Sequence, residues 1–135
     1  MDFILRQLSE SDYDNILIGW WEDWGWTPPL KQMLPDNGIG GLILYDGDTP
    51  VCAGYMYATN SEMCLIEYVI SNKQYRKKPN RKEAILTLVD NLTQSASIAG
   101  FKFAFATLKS KSLIDKYIEV GYEKGDPTQE MIKVL

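Results

Sequence analysis

Residues 63–90, MCLIEYVISNKQYRKKPNRKEAILTLVD, place three incompatible textures in a row. Met63–Ser71 is apolar apart from Glu67. A run this short, with Ile and Val, predicts a buried strand. Lys73, Arg76, Lys77, Lys78, Arg81 and Lys82 follow, six of the chain's 14 Lys and Arg residues with no acid among them. Then Ile85, Leu88, Val89, Leu92, Ala96 and Ala99 recur at helical spacing, which predicts an amphipathic helix. A strand, a cationic turn and a helix N-terminus suit an anion such as a phosphate, because free N–H groups and the helix dipole face it. The same turn can also be read as a solvated basic loop. A nucleic-acid patch is the weakest of the three readings, since the cluster is single and short and the net charge is −4.

The rest of the chain builds around this segment. Phe3–Leu8 predicts a first strand. Ser9-Glu10-Ser11-Asp12 is rich in helix-capping residues and opens a helix from about Glu10 to Trp21, with Tyr13, Ile16, Leu17 and Trp20 inside. Gly25 and Pro28-Pro29 break it, and Leu30–Leu34 suits a second short helix. Gly40–Tyr45 and Pro50–Thr59 form a hairpin across Asp46-Gly47-Asp48, and Asn60-Ser61-Glu62 turns into the Met63 strand. Gly100 ends the long helix. Phe101–Leu108 predicts a strand, and strand-helix-strand order demands parallel pairing through a right-handed crossover. A helix over about 110–120 and a last strand, Thr128–Leu135, complete an α/β mixed sheet in one domain, residues 1–135.

Composition narrows the chemistry. With no His among 135 residues, Ser-His-Asp triads, Cys-His pairs and His-based zinc sites are excluded, and no metal is expected. Cys52 and Cys64 lie in strand-like runs and read as buried, reduced thiols of a cytoplasmic protein. No apolar run approaches the roughly 20 residues of a membrane span, and MDFILRQLSES is unlike a signal peptide. Residues 1–50 hold nine acids (Asp2, Glu10, Asp12, Asp14, Glu22, Asp23, Asp36, Asp46, Asp48) against Arg6 and Lys31. An acidic half beside a cationic loop suits a cationic substrate meeting an anionic cofactor, and equally a solvated acidic surface.

The order Ile66-Glu67-Tyr68-Val69-Ile70-Ser71-Asn72-Lys73-Gln74-Tyr75-Arg76 resembles the central strand and cofactor loop of the GNAT family of N-acetyltransferases, where a strand Glu precedes an R-x-x-G-x-G/A loop and a helix. Arg76 matches the motif's Arg, while Pro79 and Arg81 stand at its glycine positions. Arg6 to Asp12 is similar to the family's R-x-x-x-x-x-D entry. Tyr117-x-x-x-Gly121-Tyr122 resembles its late helix, with Ser110 where members usually carry Asn. The WW-x-x-W-x-W-x-PP segment, residues 20–29, is similar to small acetyltransferase-like proteins encoded by bacteriophages.

The resemblance implies a GNAT-like fold: an antiparallel meander leading into a β-α-β crossover whose parallel central strands splay apart. It implies acetyl-CoA as co-substrate, held by Val69, Ile70, Ser71, Arg76, Lys77, Lys78, Asn80, Arg81, Lys82 and Ser110. Glu67 is the expected general base and Tyr117 the general acid. Trp20, Trp21, Glu22, Trp24 and Trp26 are expected around an amine acceptor, on a small molecule or on a protein, with aromatic faces and acids attracting its charge. A homodimer is compatible with this, as is the bacterial host cytoplasm for a phage-encoded chain. Two alternatives stay open: a non-catalytic GNAT-fold interaction protein that lost the loop glycines, and a protein acetyltransferase acting on a host target.

Overall fold

The structure, a computed structural model, describes residues 2–135. Among these residues, five strands form one sheet in chain order: β1 (Phe3–Gln7), β2 (Gly41–Asp46), β3 (Thr49–Tyr57), β4 (Met63–Ser71) and β5 (Phe103–Phe105). β1 to β4 are antiparallel neighbours, and β5 runs parallel to β4. The helices are α1 (Ile18–Asp23), α2 (Arg81–Ile98) and α3 (Lys111–Val120). None is long and apolar enough to cross a membrane.

Alternation along the strands gives the sheet two apolar faces. Leu44, Cys52, Cys64 and Ile66 meet Ala84, Ile85, Leu88, Val89 and Leu92 of α2 and Tyr117 of α3. Ile43, Ala53, Tyr55 and Ile70 meet Tyr13, Leu17, Trp20, Trp21 and Leu34 on the other side. Both cysteines are buried and free.

β4 is irregular where it matters. Ala53 of β3 pairs with Ile70, whereas Tyr55 pairs with Glu67. Two steps along β3 therefore span three along β4, which is a β-bulge. It centres on Tyr68, a non-glycine residue at φ +54°. A regular strand would turn Ile66 and Ile70 to one face; across the bulge they enter opposite cores. Gly54 accommodates this bulge. A Cβ there would stand 2.9 Å from Val69 Cγ2 and 3.0 Å from Leu92 Cδ1.

The N-terminal helix differs from its sequence pattern. It opens as a π-helical turn, Tyr13–Leu17, and continues as α1 to Asp23. Asp12 makes no side-chain cap. Its carboxylate accepts from the Ser9 amide at 2.6 Å and from both terminal nitrogens of Arg6 at 2.7 and 3.0 Å. That charge-assisted fork pulls the Asp12 carboxyl down to about 2 and ties the helix entry to β1.

Other expectations also change. Leu30–Leu34 contains only a 3-10 turn, Lys31–Met33. The strand expected over Phe101–Leu108 shortens to Phe103–Phe105, because the chain leaves β4 after Phe105. Thr128–Leu135 forms no strand, and Met131, Ile132, Val134 and Leu135 are exposed. A three-residue β5 offers too short a ladder to hold another strand. Gly100, at φ +101°, ends α2 as its position implies.

Gly54→Val is expected to cost about 1–3 kcal/mol, the scale of forcing extra methyl groups into a packed core. Urea unfolding of parent and variant measures it. An unchanged midpoint would mean that the bulge does not need the space at Gly54.

Candidate active site

β4 and β5 pair only from Met63–Phe103 to Leu65–Phe105. Beyond that point β4 runs on to Ser71 while its neighbour turns away, so the sheet forks at Ile66 and Glu67. Glu67 spans the fork. Its carboxylate accepts from the Thr107 amide at 2.8 Å and the Thr107 hydroxyl at 2.7 Å. It is half-buried, forms no ion pair among the described residues, and its charge reaches Tyr57, Tyr68 and Tyr117.

Tyr117 reaches the fork from the α2 side. Its ring is buried against Tyr122, edge to face at 4.9 Å. Its hydroxyl donates to the Ile66 carbonyl at 3.1 Å. Burial first, then Tyr122 and Glu67, push that hydroxyl's pKa well above the tyrosine range. Glu67 and Tyr117 thus meet the same fork, at adjacent residues of β4.

The cationic loop is more closed than its composition suggests. Asn72 caps a short 3-10 turn, Lys73–Tyr75, by accepting from the Gln74 amide. Tyr75 turns inward and hydrogen-bonds Asp46. The amides of Tyr75, Arg76, Lys78 and Arg81 all donate to carbonyls within the loop, and Pro79 has none. The amides of Lys77, Asn80, Lys82 and Glu83 make no hydrogen bond among the described residues, so the free donors lie at the N-terminus of α2. Lys77 and Lys78 point to solvent, Lys82 pairs with Glu119 at 3.3 Å, and Asn80 reaches Asp46 at 3.5 Å.

Arg81 behaves otherwise. Its Nη2 donates to Ser71 Oγ at 3.0 Å, while its buried Nε has no partner. It lines a cleft of about 300 Å³ with Val69, Ile70, Ser71, Arg76 and Ser110. Ser110 also caps α3 by accepting from the Leu113 amide. Lys116 of α3 shares the cleft. It is 8% exposed, and its ammonium donates to Ser112 Oγ at 2.6 Å. Burial first, then Arg81 and Lys82, lower its pKa, with Asp115 and Glu119 opposing. Neither Arg81 nor Lys116 has a carboxylate partner among the described residues.

The same architecture recurs in solved structures. Glucosamine-6-phosphate N-acetyltransferase from Arabidopsis thaliana superposes with a TM-score of 0.66 at 13% identity, covering 98% of this chain and 99% of that one. A GNAT family acetyltransferase of Staphylococcus aureus gives 0.60 at 17% identity, covering 100% of both chains. The chain has the GNAT fold. A transcriptional regulator from Bacillus halodurans is equally similar, with a TM-score of 0.66 at 12% identity over 97% of this chain and 99% of that one. No protein-family model and no curated protein matches the sequence.

Within this GNAT fold the four tryptophans divide. Trp20 and Trp21 are buried in the core under the N-terminal helix, and Glu22 is exposed. Trp24 and Trp26 stack at 5.6 Å and line the Arg81 cleft. The Trp24 indole donates to the Ser71 carbonyl at 2.8 Å, and Lys73 Nζ lies 5.4 Å over its ring. They wall the end of β4 beside the cationic loop, not the fork at Glu67. Two residues of the site escape a reading of the sequence. Lys116 had a signal: it falls inside the helical stripe Leu113, Tyr117 and Val120, where a solvated lysine does not belong. Thr107 had none.

Arg81→Met removes a half-buried guanidinium that has no carboxylate partner among the described residues. In anion-free buffer the variant is expected to melt no lower than the parent, because relief of desolvation offsets the lost bond to Ser71. Calorimetry of the two proteins checks this. A clear drop in melting temperature would make Arg81 a structural residue.

Proposed function

We propose that this chain is an N-acetyltransferase that moves an acetyl group from acetyl-CoA to an amine. The observation that carries the reading is the fork between β4 and β5, with the Glu67 carboxylate spanning it and the Tyr117 hydroxyl beside it at Ile66. A narrow thioester arm fits such an opening, and the cations around Arg81 stand on the α2 side for its phosphates. The acceptor enters from the opposite face, where Glu67 lies among Tyr57 and Tyr68.

Glu67 takes the proton of the acceptor ammonium, directly or through one water. The freed amine attacks the thioester carbonyl carbon, and N–H groups of the bulged stretch Val69–Ser71 receive the negative charge that gathers on oxygen. As the tetrahedral species collapses, the C–S bond breaks and Tyr117 gives its proton to the departing sulfur. Burial keeps that hydroxyl protonated at neutral pH, so the proton is present when the sulfur departs. The product is an amide and a free thiol. Arg76, Lys77, Lys78, Asn80, Arg81, Lys82 and Ser110 serve the donor's phosphates. The acceptor is an amine of a small molecule or of a protein, in the cytoplasm.

Glu67→Gln keeps the shape at the fork but accepts no proton. It is expected to keep its melting temperature and its affinity for acetyl-CoA while turnover of a primary amine falls about 10²-fold or more, the scale of general-base catalysis. Thiol release and calorimetry on one preparation measure both. A parent that binds acetyl-CoA yet turns over no amine in a broad panel would instead favour the non-catalytic reading.

A further inference from the structure

Four apolar side chains of the sheet belong to neither core. β4 and β5 pair Met63 with Phe103 and Leu65 with Phe105. The alternate residues, Cys64, Ile66 and Ala104, pack toward α2, so these four turn to the opposite face. On that face the core under the N-terminal helix takes Ile43, Ala53, Tyr55 and Ile70 and stops short of them. Phe103 is 65% exposed, Phe105 45% and Met63 37%, and Leu65 is half-buried. β5 is also the edge of the sheet. Bare apolar side chains standing together at a sheet edge mark a protein contact.

The chain bares a second apolar stretch. Residues 123–135 form no helix or strand, and Met131, Ile132, Val134 and Leu135 are all exposed. This segment starts on the α2 face, where the Tyr122 hydroxyl lies 2.7 Å from that of Thr93. It then passes near Tyr68, whose hydroxyl feels the Glu130 charge. The Tyr68 ring lies 6.3 Å from that of Tyr57, and Tyr57 pairs with Leu65. Met131–Leu135 therefore leave the molecule close to the patch without covering it. Charge matches as well. Residues 101–109 hold Lys102 and Lys109 and no acid, whereas 123–130 hold Glu123, Asp126 and Glu130 against Lys124.

We infer that this patch is an interface between two copies of the chain, in which Met131–Leu135 of each copy pack on Met63, Leu65, Phe103 and Phe105 of the other. In a single copy both surfaces stay bare, and a second copy presents the complement of each. The exchange is isologous: a two-fold axis makes both contacts at once. Five extended residues span about 17 Å, enough to cross between copies whose patches adjoin. Side chains carry the contact, because a three-residue β5 is too short to hold another strand by its ladder. Antiparallel docking brings Glu130 of one copy toward Lys109 of the other. The interface is independent of the acetyl-transfer reading.

Sedimentation equilibrium of the full chain over a concentration series tests it. The variants are Phe103→Lys in the patch, Ile132→Lys in the segment, and Ile4→Lys on the opposite edge of the sheet. All three side chains are exposed, so each variant is expected to melt as the parent does. The parent is expected to dimerise. Phe103→Lys and Ile132→Lys each weaken the dimer about tenfold or more, the scale of losing an apolar anchor, while Ile4→Lys leaves it unchanged. An equimolar mixture of Phe103→Lys and Ile132→Lys tests the exchange itself. Its heterodimer keeps one intact contact, the segment of the first on the patch of the second, whereas either variant alone keeps none. The mixture is therefore expected to dimerise more tightly than either component. A parent that stays monomeric at millimolar concentration overturns the inference, as does a mixture no tighter than its components.

Discussion

One extra residue in β4 governs the site. The bulge at Tyr68 inverts the pleat of the strand between Ile66 and Ile70, so one strand serves two cores in succession. It also separates two kinds of chemistry. Before it lie Ile66 and Glu67, at the fork with β5. After it lie Val69, Ile70 and Ser71, whose far end meets the cationic cleft. Gly54 makes the distortion possible, because only a residue without Cβ leaves room for Val69 to press inward. A straight β4 would put Ser71 and the Arg81 cleft on the wrong face for anything lying in the fork.

Charge is arranged around this strand with similar economy. Where the protein needs stability it pairs: Arg6 and Asp12 lock β1 to the first helix through a fork of short bonds. Where the cleft opens, Arg81 and Lys116 have no carboxylate partner among the described residues, although Asp115 and Glu119 stand nearby on α3. Unpaired buried charge costs stability, and such groups concentrate where a ligand of opposite charge completes them. A structure similar to both an acetyltransferase and a transcriptional regulator cannot take its function from fold alone. Here the reading rests on Glu67, Tyr117 and the cations.

Much of this is legible in the sequence, for definite reasons. Alternation and helical spacing mark β2, β3, β4 and α2, and Gly100 marks the end of α2. The fold follows from strand-helix-strand order and the resemblance of the Glu67 and Tyr117 segments. Other features depend on contacts no pattern reports. Asp12 looks like a cap and instead holds Arg6, so the helix starts as a π-helical turn. The bulge is invisible because Ile66, Tyr68 and Ile70 alternate as in a regular strand. Thr128–Leu135 ends in apolar residues that suit a strand, but the three-residue β5 gives it no ladder to join. The tryptophans form one cluster in the sequence, yet two are core and two wall the cleft, a division set by where α1 ends against Ser71.

The central claim is that a donor threads from the Arg81 cleft along the bulged half of β4 to the fork at Glu67. Amide chemical shifts of the labelled protein, followed as acetyl-CoA is added, test it most directly. The account predicts saturable shifts along one track: the N-terminus of α2, Ser110 and Leu113, Val69 to Ser71, and Thr107 where it holds Glu67. Shifts confined to the exposed lysines of the loop, with β4 and Thr107 unmoved, would contradict it.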